Sequence, residues 1–244
     1  SNSKKVIDRR AGRTLTTQEA RILITQLKKK LRLPCPFEIR STIQHRGVFV
    51  LRGGFSENIS NVDPEWEGKK TNNVRYSQPL DDSEIAKYTA NIINSFLEQA
   101  FHILDNHPVN HQRRKLKLLP ANFIFMRGAG NEVPVIKQYH QWMSINSMPL
   151  EIGISKVSGM RIFSNKQKSI TNQDVYPFLY SSLHKNILYI NKILKRRHGD
   201  FLGGYIHFKE TDVPGHDNRP IDKRKMIELI DKEFFSFITP LVKR

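Results

Sequence analysis

Apolar residues recur at helical spacing in several stretches, and each stretch has its own stop signals. Ala20, Leu23, Ile24, Leu27 and Leu31 keep one face, behind Thr16 or Thr17 as a cap and Glu19 in the first turn, until Pro34 ends the run. A stronger pattern follows Asp81, Asp82 or Ser83, with Ile85, Tyr88, Ile92, Ile93, Phe96, Leu97, Ala100 and Leu104 on one apolar face. His107-Pro108 opens a second helical piece containing His111-Gln112-Arg113-Arg114-Lys115. Between these, Phe37-Glu38-Ile39-Arg40 and Gly47 to Arg52 read as strands, the second ending at Gly53-Gly54. Pro120 to Arg127 reads as a buried strand ending in Gly128-Ala129-Gly130, and residues 1–14 as a short strand leading into a loop. Residues 56–80, broken by Pro64, Gly68 and Pro79, read as a long loop.

Beyond Pro134 the pattern becomes an alternation of elements. It predicts a helix near 135–143, a strand near 149–154, a long helix near 174–197, a strand over 201–208 and a closing helix from Asp222 to Ile238. Strands separated by helices imply a parallel sheet with crossover connections, an α/β arrangement.

The chain has 244 residues, enough for one large domain or two small ones. Cys35 is the only cysteine, so neither a disulfide framework nor a cysteine-rich zinc site is available, and a reducing, cytoplasmic setting is expected. No apolar run reaches the ~20 residues that span a bilayer, no signal peptide is recognised, and no membrane association is expected. Forty Lys and Arg against 23 Asp and Glu give a net charge of +17. That excess favours polyanions, either nucleic acid or small phosphorylated metabolites.

Two constellations carry candidate chemistry. Thr211-Asp212-Val213-Pro214-Gly215-His216-Asp217 follows a predicted strand end, where α/β proteins place their sites. Asp212 and His216 are competent ligands for one divalent metal, or the segment is an ordinary Pro-Gly turn. The second constellation is cationic: Arg9, Arg10, Arg13, His45, Arg46, Arg113, Arg114 and Arg127. Arginine's planar fork suits carboxylate and phosphate, although these side chains could equally be scattered and solvated. Phe49, Phe123 and Phe125 lie near basic residues as in RNA-binding sheets, but without the RNA-recognition consensus, and core packing explains them better.

Six segments follow one another in a telling order. They are Asp8 to Arg13; Gln44-His45-Arg46 with the strand into Gly53-Gly54; Asp105 to Asn110 leading to Arg113; Leu119 to Asn122 running to Gly130; Gly153-Ile154-Ser155 with Ser158-Gly159-Met160; and Lys209 to Asp217. Together they resemble the archaeal-type cofactor-independent (2,3-bisphosphoglycerate-independent) phosphoglycerate mutase, a branch of the alkaline phosphatase superfamily.

The resemblance implies a partial alkaline-phosphatase-like parallel-sheet core plus an inserted α+β domain. Residues 1–134 would be the inserted, substrate-binding domain and 135–244 the partial core. The implied activity is an isomerase of glycolysis and gluconeogenesis, interconverting 3- and 2-phosphoglycerate through a phosphoserine by metal-assisted phosphoryl transfer. It assigns substrate binding to Arg9, Arg13, His45, Arg46, Asn110, Arg113 and Arg127, expected to face one cleft between the two parts. It assigns a divalent metal (Mn, Zn or Mg) to Asp212 and His216. The family's opening Asp-Gly pair, its nucleophilic serine and its later Gly-Asp-His segment have no counterpart in these residues. Where the family has a Gly-rich loop after Gly159-Met160, this chain reads Phe163-Ser164-Asn165-Lys166-Gln167-Lys168. The chain is therefore expected to be an internal portion and inactive by itself. The rival expectation is a non-catalytic basic module that binds RNA.

Overall fold

A computed structural model of the chain describes residues 5–63, 73–165 and 175–242. Pro64, Gly68 and Lys166-Gln167-Lys168, singled out above, lie outside the described residues. The chain divides into two compact units, Ser1–Pro134 and Val135–Arg244.

In the first unit α1 (Thr17–Lys30) starts at a capping box, in which the Thr16 hydroxyl accepts from the Glu19 N–H and the Glu19 carboxylate accepts from the Thr16 N–H. Its apolar stripe, Ala20, Leu23, Leu27 and Leu31, is buried. Next comes an antiparallel hairpin of β1 (Phe37–Ser41) and β2 (Gly47–Leu51), in register from Phe37–Leu51 to Ser41–Gly47. Helix α2 (Glu84–Asp105) is capped by Ser83, and α3 (Pro108–Lys115) is capped by the His107 ring with Pro108 at its first position. Leu27, Ile39, Val62, Phe96, Leu97 and Ala100 close one core. The expected α2 face holds from Ile92 to Leu104, but Ile85 and Tyr88 are exposed; Tyr88 instead stacks on Phe55.

Two expectations fail in this unit. Pro120 to Arg127 forms no strand: Phe123, Ile124, Phe125 and Met126 lie half-buried against the core, and among the described residues no ladder partner runs alongside. The described part of the opening segment, residues 5–14, is likewise no strand. Lys5 makes an isolated bridge to Asn73, and Ala11–Arg13 form a 3₁₀ turn.

The second unit is built on a three-stranded parallel sheet in the order β4-β3-β5, formed by β3 (Trp142–Ile145), β4 (Arg161–Phe163) and β5 (Gly203–Ile206). The expected helix near 135–143 is irregular backbone followed by β3, and the expected strand near 149–154 is helix α4 (Pro149–Val157). Pro149 at the first helical position explains the second reversal, since its fixed φ starts a helix and its missing N–H costs nothing there. Gly159, just past α4, has φ +72°, and a Cβ there would sit 2.6 Å from the His140 ring, so only glycine fits. Helix α5 (Val175–Arg197) crosses to β5, followed by the short α6 (Asp212–His216), α7 (Pro220–Ile230), a wide π turn over Asp231–Phe235, and α8 (Ser236–Val242). That π turn divides the expected closing helix. Met143, Ile145, Leu183, Ile187, Met226 and Phe234 form a second core, separate from the first.

The fold is α/β, as expected. Its first unit turns on Arg113, whose side chain is 1% exposed. Arg113→Ala should lower unfolding free energy by about 3–5 kcal/mol in urea titrations, because it removes one partner of a buried ion pair. A loss under 1 kcal/mol would show that its contacts carry little.

Candidate functional site

The cationic residues gather around a loop whose backbone is unusual. Ala11, Gly12 and Arg13 all have left-handed φ, at 49°, 66° and 56°. For the two non-glycine residues this costs about 1–3 kcal/mol each, so the surroundings must impose it. They do so from two sides. The Asp8 carboxylate accepts from the N–H groups of Arg10 (2.6 Å) and Gly12 (2.8 Å). From beneath, Arg113 donates to the carbonyls of Ala11 (3.3 Å), Thr14 (3.4 Å) and Leu119 (2.9 Å), to the Thr14 hydroxyl (2.7 Å) and to Glu19 (3.0 Å). Burial would raise the Glu19 pKa, but hydrogen bonds from Thr16 and Arg113 outweigh it and hold the carboxyl below its ordinary value.

The tip of the β1–β2 hairpin docks beside this loop. The Gln44 N–H donates to the Thr17 hydroxyl (3.0 Å) at the start of α1, and Gln44 takes φ 50°. His45 and Arg46 are thereby presented among Arg9, Arg10 and Arg13. Burial, followed by the positive charges of Arg46, Arg10, Arg13 and Arg9, pushes the His45 pKa below its ordinary value, so the ring is neutral at pH 7. Arg127 joins through Asp63. The Val62 N–H (2.8 Å) and Asp63 N–H (3.3 Å) donate to the Met126 carbonyl, and the Gly128 N–H donates to Asn61 (2.9 Å). The buried Asp63 carboxylate then meets Arg9 at 2.9 Å and Arg127 at 3.6 Å.

Five residues expected at the site therefore come together: Arg9, Arg13, His45, Arg46 and Arg127. Arg113 and Asn110 do not join them as ligand-facing groups. Arg113 is spent on the loop from below, and Asn110, fully buried, bonds the Leu104 carbonyl and both backbone groups of Ala121. These two shape the site rather than line it. Arg114 turns away to Asp105. Asp63 was not anticipated; an acidic residue inside a basic set gives no sequence signal. A groove lined by Gln26, Lys30, His102 and His107 contains none of the expected residues.

In the second unit Asp212 and His216 sit one turn apart on α6, after β5, with Oδ1 and Nε2 separated by 3.5 Å. The segment is anchored to α5 by the Tyr176 hydroxyl, which donates to Asp217 (2.9 Å), and by Arg219 stacked over the Tyr176 ring at 3.6 Å. Burial opposes ionisation of Asp212, but Lys209, with His216 and Lys223, holds its carboxyl below the ordinary value. A carboxylate and an imidazole on one face suit a divalent ion as two of its ligands. Zinc usually takes three or four protein ligands, and among the described residues no group of three His, Cys, Asp or Glu is placed to hold a metal.

The aromatic residues settle as core. Phe49 packs against Phe37 and Phe96, and Phe123 against Phe101 and Phe125. No helix among the described residues is long and apolar enough to cross a membrane.

Comparison with known proteins agrees with the resemblance read from the sequence. Residues 1–110 match the family described as 2,3-bisphosphoglycerate-independent phosphoglycerate mutase. The chain is 33% identical to the protein of that name from Picrophilus torridus, over 97% of this chain and 55% of the relative. It is 35% identical to the one from Methanococcus maripaludis, over 98% of this chain and 56% of the relative. A solved cofactor-independent phosphoglycerate mutase from Thermoplasma acidophilum shares the fold at TM-score 0.52 and 23% identity, over 98% of this chain and 57% of that one. The chain spans about half the length of the curated relatives it matches.

The electrostatics of His45 yield a direct expectation. Followed by proton NMR, its ring should titrate below the ordinary histidine midpoint, and Arg46→Ala should raise that midpoint. A histidine depressed in this way favours the folded state above its unfolded pKa and loses that contribution as pH falls through its folded pKa. A His45 midpoint at or above about 6.5 would contradict the cluster.

Proposed function

We propose that these residues form the substrate-binding portion of a phosphoglycerate mutase, the enzyme that interconverts 3- and 2-phosphoglycerate through a phosphoserine. The carrying observation is the gathering of Arg9, Arg13, His45, Arg46 and Arg127 in a chain matched along 97% of its length by an archaeal mutase. In this reading residues 1–134 are the inserted substrate domain and 135–244 part of the phosphatase-like core. The substrate is a small phosphorylated acid, the protein acts in glycolysis or gluconeogenesis, and the compartment is cytoplasmic.

The guanidinium groups hold the phosphate and carboxylate oxygens in fixed orientation by paired N–H donors. Asp63 keeps Arg9 and Arg127 directed to one side before the ligand arrives. His45, neutral without ligand, accepts a proton once a dianionic phosphate offsets the surrounding cations. Asp212 and His216 would hold a divalent ion, manganese, zinc or magnesium, together with further ligands. Such an ion, when bound, supplies charge neutralisation and activation of the attacking oxygen. Arginines that position a phosphoryl group do not replace a nucleophile, so residues 1–244 alone bind substrate without turnover. The RNA-binding alternative finds no support in the comparisons, and its aromatic residues are in the core.

Calorimetry with 3-phosphoglycerate should show binding that weakens about tenfold or more in Arg9→Ala and in Arg46→Ala, each removing a charge-assisted contact. The mutase assay with manganese should show no turnover by the isolated chain. Rates on the order of 1–1000 s⁻¹ would place a nucleophile within these residues, and unchanged affinity in both variants would remove the site.

A further inference from the structure

Open α/β sheets receive ligands beyond the carboxyl ends of their strands. In this sheet Ser144 lies opposite Tyr205 and Ile145 opposite Ile206, and the His207 N–H extends the ladder to the Ile145 carbonyl at 3.3 Å. Alternation along each strand then sends Asn146 and His207 to the same face as Ser144 and Tyr205, side by side just past the strand ends. Helix α4 covers that face. Its Ser155 hydroxyl lies 2.6 Å from that of Ser144, and Glu151, one turn earlier, is close enough that its charge, after burial, pushes the Tyr205 phenol up.

Three polar side chains therefore meet at one place. Asn146 is 4% exposed, and its amide nitrogen is taken by the hydroxyls of Ser144 (2.5 Å) and Ser155 (3.3 Å), which directs its oxygen away from them. Asn146 Oδ1, Glu151 Oε2 and His207 Nδ1 are all closed to solvent and have no hydrogen-bond partner among the described residues. Leaving such atoms unsatisfied is unfavourable, and a bound ligand would remove that cost. Glu151 Oε1 and His207 Nε2 are 3.8 Å apart, too far for a hydrogen bond. The two side chains are thus neighbours, and the atoms they leave for an ion are the others, Glu151 Oε2 and His207 Nδ1.

We propose that Asn146, Glu151 and His207 form a divalent-cation site, distinct from the Asp212–His216 pair. A carboxylate, an imidazole and an amide oxygen are a donor set for zinc, manganese or cobalt, and they leave a position for water. The site belongs to the second unit alone and does not depend on the substrate reading of the first.

Titration of the 244-residue chain with cobalt(II), followed by its visible absorption, tests this. One equivalent should bind, the band should vanish in Glu151→Gln and in His207→Gln, and it should persist in an Asp212→Ala, His216→Ala double variant. Circular dichroism shows whether each variant is folded. Asn146→Asp, which adds a charged donor in the same volume, should tighten cobalt affinity by about tenfold. The proposal is overturned if the chain binds no cobalt, if binding disappears only in the double variant, or if Asn146→Asp leaves affinity unchanged.

Discussion

The first unit depends on one buried guanidinium. Arg113 is 1% exposed and reaches three backbone carbonyls, a hydroxyl and the carboxylate of Glu19. Glu19 is also the reciprocal member of the α1 capping box, so the same contact fixes where that helix begins. The left-handed turn at Ala11–Arg13 is held directly above it, and Thr17, one residue beyond the cap, receives the hairpin tip. A charge held this deep has to be fully paired, and the groups that pair it are those that place the surface arginines. The arginines on this strained loop are thus set in position by a buried neighbour that does not stand among them.

Much of this was legible in the sequence where a local signal existed. The cap at Thr16 with Glu19, the stripe of α1, the hairpin, the Ser83 cap and the long α5 all rest on residues close in sequence. Errors arose where tertiary contact outweighs local pattern. Pro120 to Arg127 has the composition of a strand but packs half-buried without a ladder among the described residues, because composition does not supply a partner. Over residues 135–157 the pattern predicts a helix and then a strand, whereas the chain forms irregular backbone, β3 and then α4, which Pro149 starts at its first position. At the site, the arginines were legible as a set, but which of them face inward was not. Arg113 and Arg9 look alike in sequence, and only burial separates their roles. Asp63, which joins Arg9 to Arg127 from a separate segment, carried no signal.

The two units divide the chemistry. The first gathers positive charge, and that charge, after burial, holds the His45 pKa below its ordinary value. The second has the parallel sheet, with Asp212 and His216 on a short helix after β5 and the polar side chains of Asn146, Glu151 and His207 near the strand ends. The net charge of +17 does not by itself distinguish a small anion from a long one. The proposed small-anion reading rests instead on guanidinium groups gathered at one loop and one hairpin tip.

The most direct measurement is the His45 ring resonance during titration with 3-phosphoglycerate at constant pH, set between its free and ordinary midpoints. If the phosphate enters among Arg9, Arg10, Arg13 and Arg46, its charge offsets theirs and the ring shifts toward its protonated form as sites fill. If the ligand binds while the His45 resonance stays where it was, the arginine cluster is not the phosphate site and the account fails.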